Sequence, residues 1–162
     1  MRHSGSVATM NRARTALVIL GSAALVVGLA GCSKPTPGAS VFSGTTSQFR
    51  HAVCWAFDAD TIDPKVCAQD VIAKAVSGPG VATIPVVPGE TIGISVDPVV
   101  ADAGWFPVIG DQRLTQSPIT STYYRFTFPD LQEVPAEGLT LQIVAGQDDK
   151  TRGIWVYQLV PA

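Results

Sequence analysis

No aspartate or glutamate precedes Asp58, so the first third of the chain carries charge of one sign. Arg2, Arg12 and Arg14 stand ahead of "ALVILGSAALVVGLA", Ala16 to Ala30. That run is 15 residues long. A helix needs about 20 apolar residues to cross the roughly 30 Å of a bilayer core, so the run is short for a span. It has the length of the apolar centre of an export signal. Basic clusters are lacking after it. From Cys32 onward, eight Lys and Arg stand against thirteen Asp and Glu, a net of −5. That balance excludes the electrostatic footprint of a nucleic-acid binder. Histidine is also scarce: past the leader there is only His51. A blue-copper site needs two histidines and a cysteine, and a Ser-His-Asp site would have to use His51 itself. G-x-S-x-G, H-E-x-x-H, C-x-x-C-H, the P-loop and the dinucleotide fingerprint are all missing from the sequence. No cofactor or metal is implied.

The apolar run ends in Leu29, Ala30, Gly31 and Cys32. An aliphatic residue, two small residues and a cysteine resemble the lipobox of bacterial lipoproteins. That resemblance implies a diacylglyceryl group on the Cys32 sulfur and cleavage just before it. Small residues let the chain lie extended in a protease cleft, and a thiol is a strong nucleophile for thioether formation. Two acyl chains hold a protein where one barely does, at about 0.8 kcal/mol per buried CH₂. The expected organisation is a signal peptide over 1–31, a lipidated cysteine and flexible tether over 32–44, and one domain over 45–162. "SKPTPGAS", Ser33 to Ser40, reads as tether because Pro and Gly discourage regular structure. Met10 is followed directly by "NRAR", so translation from Met10 would also give a compact signal. The address that follows is the outer face of the cell membrane, with the membrane as a partner through the anchor.

Three cysteines are present, and Cys32 is assigned to the anchor. Cys54 and Cys67 form an even pair in an exported domain, which reads as a disulfide. Closing that loop is worth about 3 kcal/mol in the chain-entropy model. A metal or redox pair is the rival reading, with His51 the one histidine near it.

The C-terminal two-thirds is written in period two. "TIGISVD" puts Ile92, Ile94 and Val96 on one face. "YYRFTF" does so with Tyr124, Phe126 and Phe128, and "LTLQIVA" with Leu139, Leu141 and Ile143. Alternation of this kind makes strands with one buried face. "IWVYQLV", Ile154 to Val160, is apolar on both faces and reads as a central strand. "VATIPVV", Val81 to Val87, contains Pro85 and suits an edge. "WFPVI", Trp105 to Ile109, is a further short strand. Turn residues separate these runs at Pro88-Gly89, Gly110-Asp111, Pro129-Asp130 and Glu137-Gly138. Asp63-Pro64 would start a helix running to Ser77, with Asp63 as the N-cap. "QFRHAVCWAF", Gln48 to Phe57, fits helical or strand spacing; Thr45 and Gln48 could form a capping box, which favours helix. Mostly β, a single antiparallel β-sandwich with one or two short N-terminal helices, is the expected fold class.

Candidate chemistry is thin. "DADTID", Asp58 to Asp63, has carboxylate spacing faintly like a calcium loop. It lacks the central glycine and has Gln69 where the bidentate glutamate belongs. Asp148 and Asp149 read as a solvated hairpin loop. The aromatics Trp55, Trp155, Tyr123, Tyr124 and Tyr157 fall mostly inside alternating runs and read as core. Trp105 follows "DPVVADAG" and is the candidate ligand contact at an edge.

"VVPGETIGISVDPVVADAGW", Val86 to Trp105, resembles uncharacterised actinobacterial lipoproteins grouped as a domain of unknown function. The shared features are the Cys54 and Cys67 pair, the Pro88-Gly89 turn, the alternating strand, and Val100-Ala101-Asp102 to Trp105. The resemblance implies an Ig-like sandwich in the cell envelope and brings no catalytic residue. The functional expectation is therefore a non-catalytic binding or assembly module, with an envelope protein or small ligand as partner. The alternatives are a lipid or sugar carrier, with Trp105 at its pocket, and an envelope hydrolase using His51 as base.

Overall fold

The computed structural model describes residues 34–65, 67, 69–78, 80–129, 134–147 and 149–162. Residues 35–162 form one compact unit. The expected signal segment and Cys32 lie outside the described residues.

The unit is a two-sheet β-sandwich. Its elements in chain order are β1 (Gly38–Ser43), β2 (Thr46–His51), β3 (Cys54–Trp55), α1 (Gln69–Ser77), β4 (Thr83–Val86), β5 (Thr91–Val96), α2 (Pro98–Ala103), β6 (Trp105–Ile109), β7 (Gln112–Arg113), β8 (Tyr123–Thr127), β9 (Leu139–Ala145) and β10 (Gly153–Pro161). One sheet has the order β2-β1-β5-β8. The other runs β3-β10-β9-β6-β7, with β4 also on β10. Among the described residues, all strand pairings are antiparallel except β4 with β10, which is parallel. Pro85 sits in β4, whose described pairing is with β10 alone, as an edge proline should.

The alternating runs fold as their period demands. Ile92, Ile94, Leu141 and Ile143 are fully buried between the sheets with Val41, Trp155, Tyr157 and Leu159. β10 is central, it is apolar on both faces, and α1 contacts it. Ile154 and Val156, which alternate with Trp155 and Tyr157, are buried.

Three expectations need correction. The tether does not extend to residue 44: residues 38–43 are β1, inserted between β2 and β5. "GASVFS" looks like linker by composition, yet Ala39 and Val41 are buried in the core. The stretch from Gln48 is a strand, not a helix. Gly44, at φ 53°, and Thr45 close a two-residue hairpin in which Ser43 faces Thr46, a loop length that ties β1 to β2 in register. Pairing along six residues then outweighs helical spacing. The helix expected from Pro64 begins at Gln69. Asp63 caps a separate turn instead: its carboxylate accepts from the Lys65 N–H at 2.8 Å and its carbonyl from Cys67 N–H at 3.0 Å. The expected stop residue Pro79 lies outside the described residues.

Candidate functional site

Register places the outward side chains of the four-stranded sheet in rows. Ser40 faces Phe49 on one side and Ser95 on the other, and Ser95 faces Tyr123. One row across the outer face is therefore Phe49, Ser40, Ser95, Tyr123. The next is Ser47, Phe42, Gly93, Arg125. Small residues form the floor and aromatics rise from it. The Phe49 ring covers Gly38 and the Phe42 ring covers Gly93, so closely that a Cβ on either glycine would collide with the ring. Phe42 stacks on Tyr123 with ring centroids 6.2 Å apart. Phe49 and Tyr123 remain about half exposed, at 55% and 48%. The other sheet differs in that α1 contacts its β10.

The chain enters this sheet at one corner. Thr36 Oγ1 donates to the Ala52 carbonyl at 3.3 Å, and His51 Nδ1–H donates to the Thr36 carbonyl at 2.7 Å. Trp155 Nε1–H donates to the Pro37 carbonyl at 3.0 Å, tying the entry to the opposite sheet. Asp97 clamps Gly38 from both sides: its carboxylate accepts from Gly38 N–H at 2.6 Å, and its own N–H donates to the Gly38 carbonyl at 3.1 Å. α2 follows directly and turns Val99 outward, 39% exposed, while Val100 and Ala101 enter the core.

The residues singled out from sequence do not converge. Cys54 and Cys67 are disulfide-bonded, with Cα atoms 5.8 Å apart. His51 is exposed, edge-on to Phe49 with ring centroids 5.1 Å apart. Its Nδ1 is already committed to Thr36. Trp105 is a core residue rather than a rim residue: it is fully buried, and its Nε1–H donates to the Ser121 carbonyl at 2.9 Å. β6 begins at Trp105 immediately after α2, and that turn drives the indole inward. Within "DADTID", Asp60 pairs with Lys150 at 3.1 Å. Among the described residues, no group of three or more His, Cys, Asp or Glu side chains is arranged to hold a metal.

No protein-family model, curated protein or solved structure matches this chain. Tyr123 and Arg125 alternate with Tyr124, Phe126 and Phe128 and face outward, so Tyr123, 48% exposed, is not the core residue its run suggests. The sequence does not mark Phe42 and Phe49 as its neighbours. The usable signal was Gly44-Thr45 between two six-residue runs, which pairs the two segments and aligns their outward positions.

An open cleft of about 300 Å³ lies beside the disulfide, with Trp55, Phe57 and Ile62 in its wall. Of its carboxylates, Asp63 is engaged by Lys65 N–H. The sandwich interior is filled by side chains, Trp105, Trp155, Tyr157 and Phe128 the largest among them. Such an interior suits recognition at the surface more than enclosure of a ligand.

Proposed function

We propose that this protein is an exported lipoprotein, anchored through Cys32 at the outer face of the cytoplasmic membrane, that works as a non-catalytic binding or assembly module. The observation that carries the binding reading is the difference between the two sheets. One has α1 in contact with its central strand β10, while the other presents an aromatic face of Phe42, Phe49 and Tyr123 set on glycine and serine. Exposed aromatics on a rigid sheet offer large contact area with little entropy to lose. The Cys54–Cys67 disulfide supports an oxidising address.

Two measurements test this reading. Intact mass of the protein extracted from its own membrane should equal Cys32 to Ala162 plus a diacylglyceryl group, less two hydrogens for the disulfide. Retention of the first segment without lipid would overturn the address. Hydrogen exchange should then be slower over β1, β2, β5 and β8 in the native envelope than in purified protein. Equal exchange in both would leave that face without a partner and overturn the binding role.

A further inference from the structure

We infer that the end of the sandwich where the chain enters is a membrane-contacting surface, with Val99, Phe49 and Tyr123 meeting the lipid headgroup layer. This deepens the lipid-anchor reading of Cys32 and rests on it.

The first argument is reach. Three residues separate Cys32 from Thr36, and Thr36 is fixed to the sandwich through Ala52 and His51. Four Cα steps extend at most about 14 Å. The headgroup layer on each side of a bilayer is roughly 5–8 Å deep. A diacylglyceryl group on Cys32 therefore confines this end of the domain to the neighbourhood of that layer. β1 runs away from it for six residues, about 20 Å. The Gly44-Thr45 hairpin thus lies at the opposite end. So does Val87, which follows β4 where β4 runs beside the last residues of β10.

The second argument is what this end displays. Val99 lies two residues past Asp97, the clamp on Gly38. The Phe49 ring lies over Gly38 itself. Tyr123 shares the row of Phe49, one step from the entry. These are three of the large apolar side chains the surface exposes. Net charge cannot draw the domain to an anionic surface, because the mature chain is acidic at −5. Apolar and aromatic contact must do so, and a tyrosine with an apolar ring and a polar tip suits the headgroup boundary. A weak contact suffices, since the anchor already supplies a high local concentration. Phe42 and Arg125, one row further along, are left for a protein partner.

The test uses the full lipidated chain in phosphatidylethanolamine and phosphatidylglycerol vesicles, with the disulfide oxidised. Val99→Cys and Val87→Cys are made separately and labelled with an environment-sensitive fluorophore. The two valines are similarly exposed, at 39% and 42%. With Cys32 a thioether and Cys54–Cys67 bonded, the introduced thiol is the one that reacts. Nitroxide-bearing lipid should quench the label at position 99 several-fold more than at position 87. Adding Phe49→Ser and Tyr123→Ser should lower the quenching at position 99. Equal quenching at the two positions, or more at position 87, overturns the inference. Quenching at position 99 that vanishes as lipid is raised over protein means contact with a second copy, and also overturns it. Intact mass of the same sample reads the anchor independently. A sample without the diacylglyceryl group defeats the lipid-anchor reading, and the inference falls with it.

Discussion

Tyr157 joins the two sheets through one hydrogen bond, its hydroxyl donating to the Ala39 carbonyl at 2.7 Å. Burial pushes this phenol well above its ordinary value of 10.0, and the Arg50 cation pulls weakly the other way. Below pH 10, folded and unfolded chains both keep the proton, so Tyr157 adds no pH dependence there. Above it, the unfolded chain releases a proton that the folded chain retains, and stability falls as pH rises. Tyr157→Phe should therefore lose less stability than the unaltered protein between pH 9 and pH 11. At pH 7 the same variant should be weaker by about 1–3 kcal/mol, because the Ala39 carbonyl loses its partner. Urea midpoints at the three pH values check both statements. Trp105 tests packing instead. Trp105→Ala should cost about 3–5 kcal/mol, as expected of a core indole. A rim residue would cost far less.

β1 decides whether the sandwich closes. It pairs with β2 and β5, and the adjoining Pro37 and its own Ala39 accept hydrogen bonds from Trp155 and Tyr157 of the opposite sheet. A chain beginning at Thr45 loses all of these and opens the core beside Ile92 and Ile94. It should show no cooperative unfolding in urea, whereas a chain beginning at Pro35 should unfold in one sharp transition. β5, β8 and β9 were legible because their inward residues are large and alternate strictly, and β10 because its run is apolar on both faces. β1 escaped because its inward residues are Ala39, Val41 and Ser43, and because Gly38 and Ser40 continue a Pro-rich stretch. The stretch that holds β2 fits both spacings, because Phe49 and Phe57 also fall at helical intervals. Both are in fact exposed, at 55% and 36%. Trp105 was misread for the opposite reason: a loop precedes it in sequence, but β6 is an inner strand between β9 and β7. The disulfide was legible, because cysteine parity needs no knowledge of the fold.

At the scale of the whole molecule, the disulfide and the proposed signal segment point to the same compartment. Cys54 lies in β3, paired with the start of β10, and Cys67 lies just ahead of α1, which contacts that same strand. Among its described residues α1 has no fully buried side chain, and the disulfide ties its start to β3. Reduction should therefore loosen the segment from Asp58 through α1 before it disturbs the strands. Hydrogen exchange should rise first over 69–77, with β9 and β10 still protected, and denaturant stability should fall by about 3 kcal/mol. Such a bond has value only where thiols are kept oxidised, and Cys32 has an assignment only where lipoproteins are processed. Protein taken from its own membrane and unfolded without reductant should accordingly show no reactive thiol. Two reactive thiols would mean the domain matures in a reducing compartment. The disulfide would then be incidental to the native state, and export would lose its strongest physical support within the folded domain.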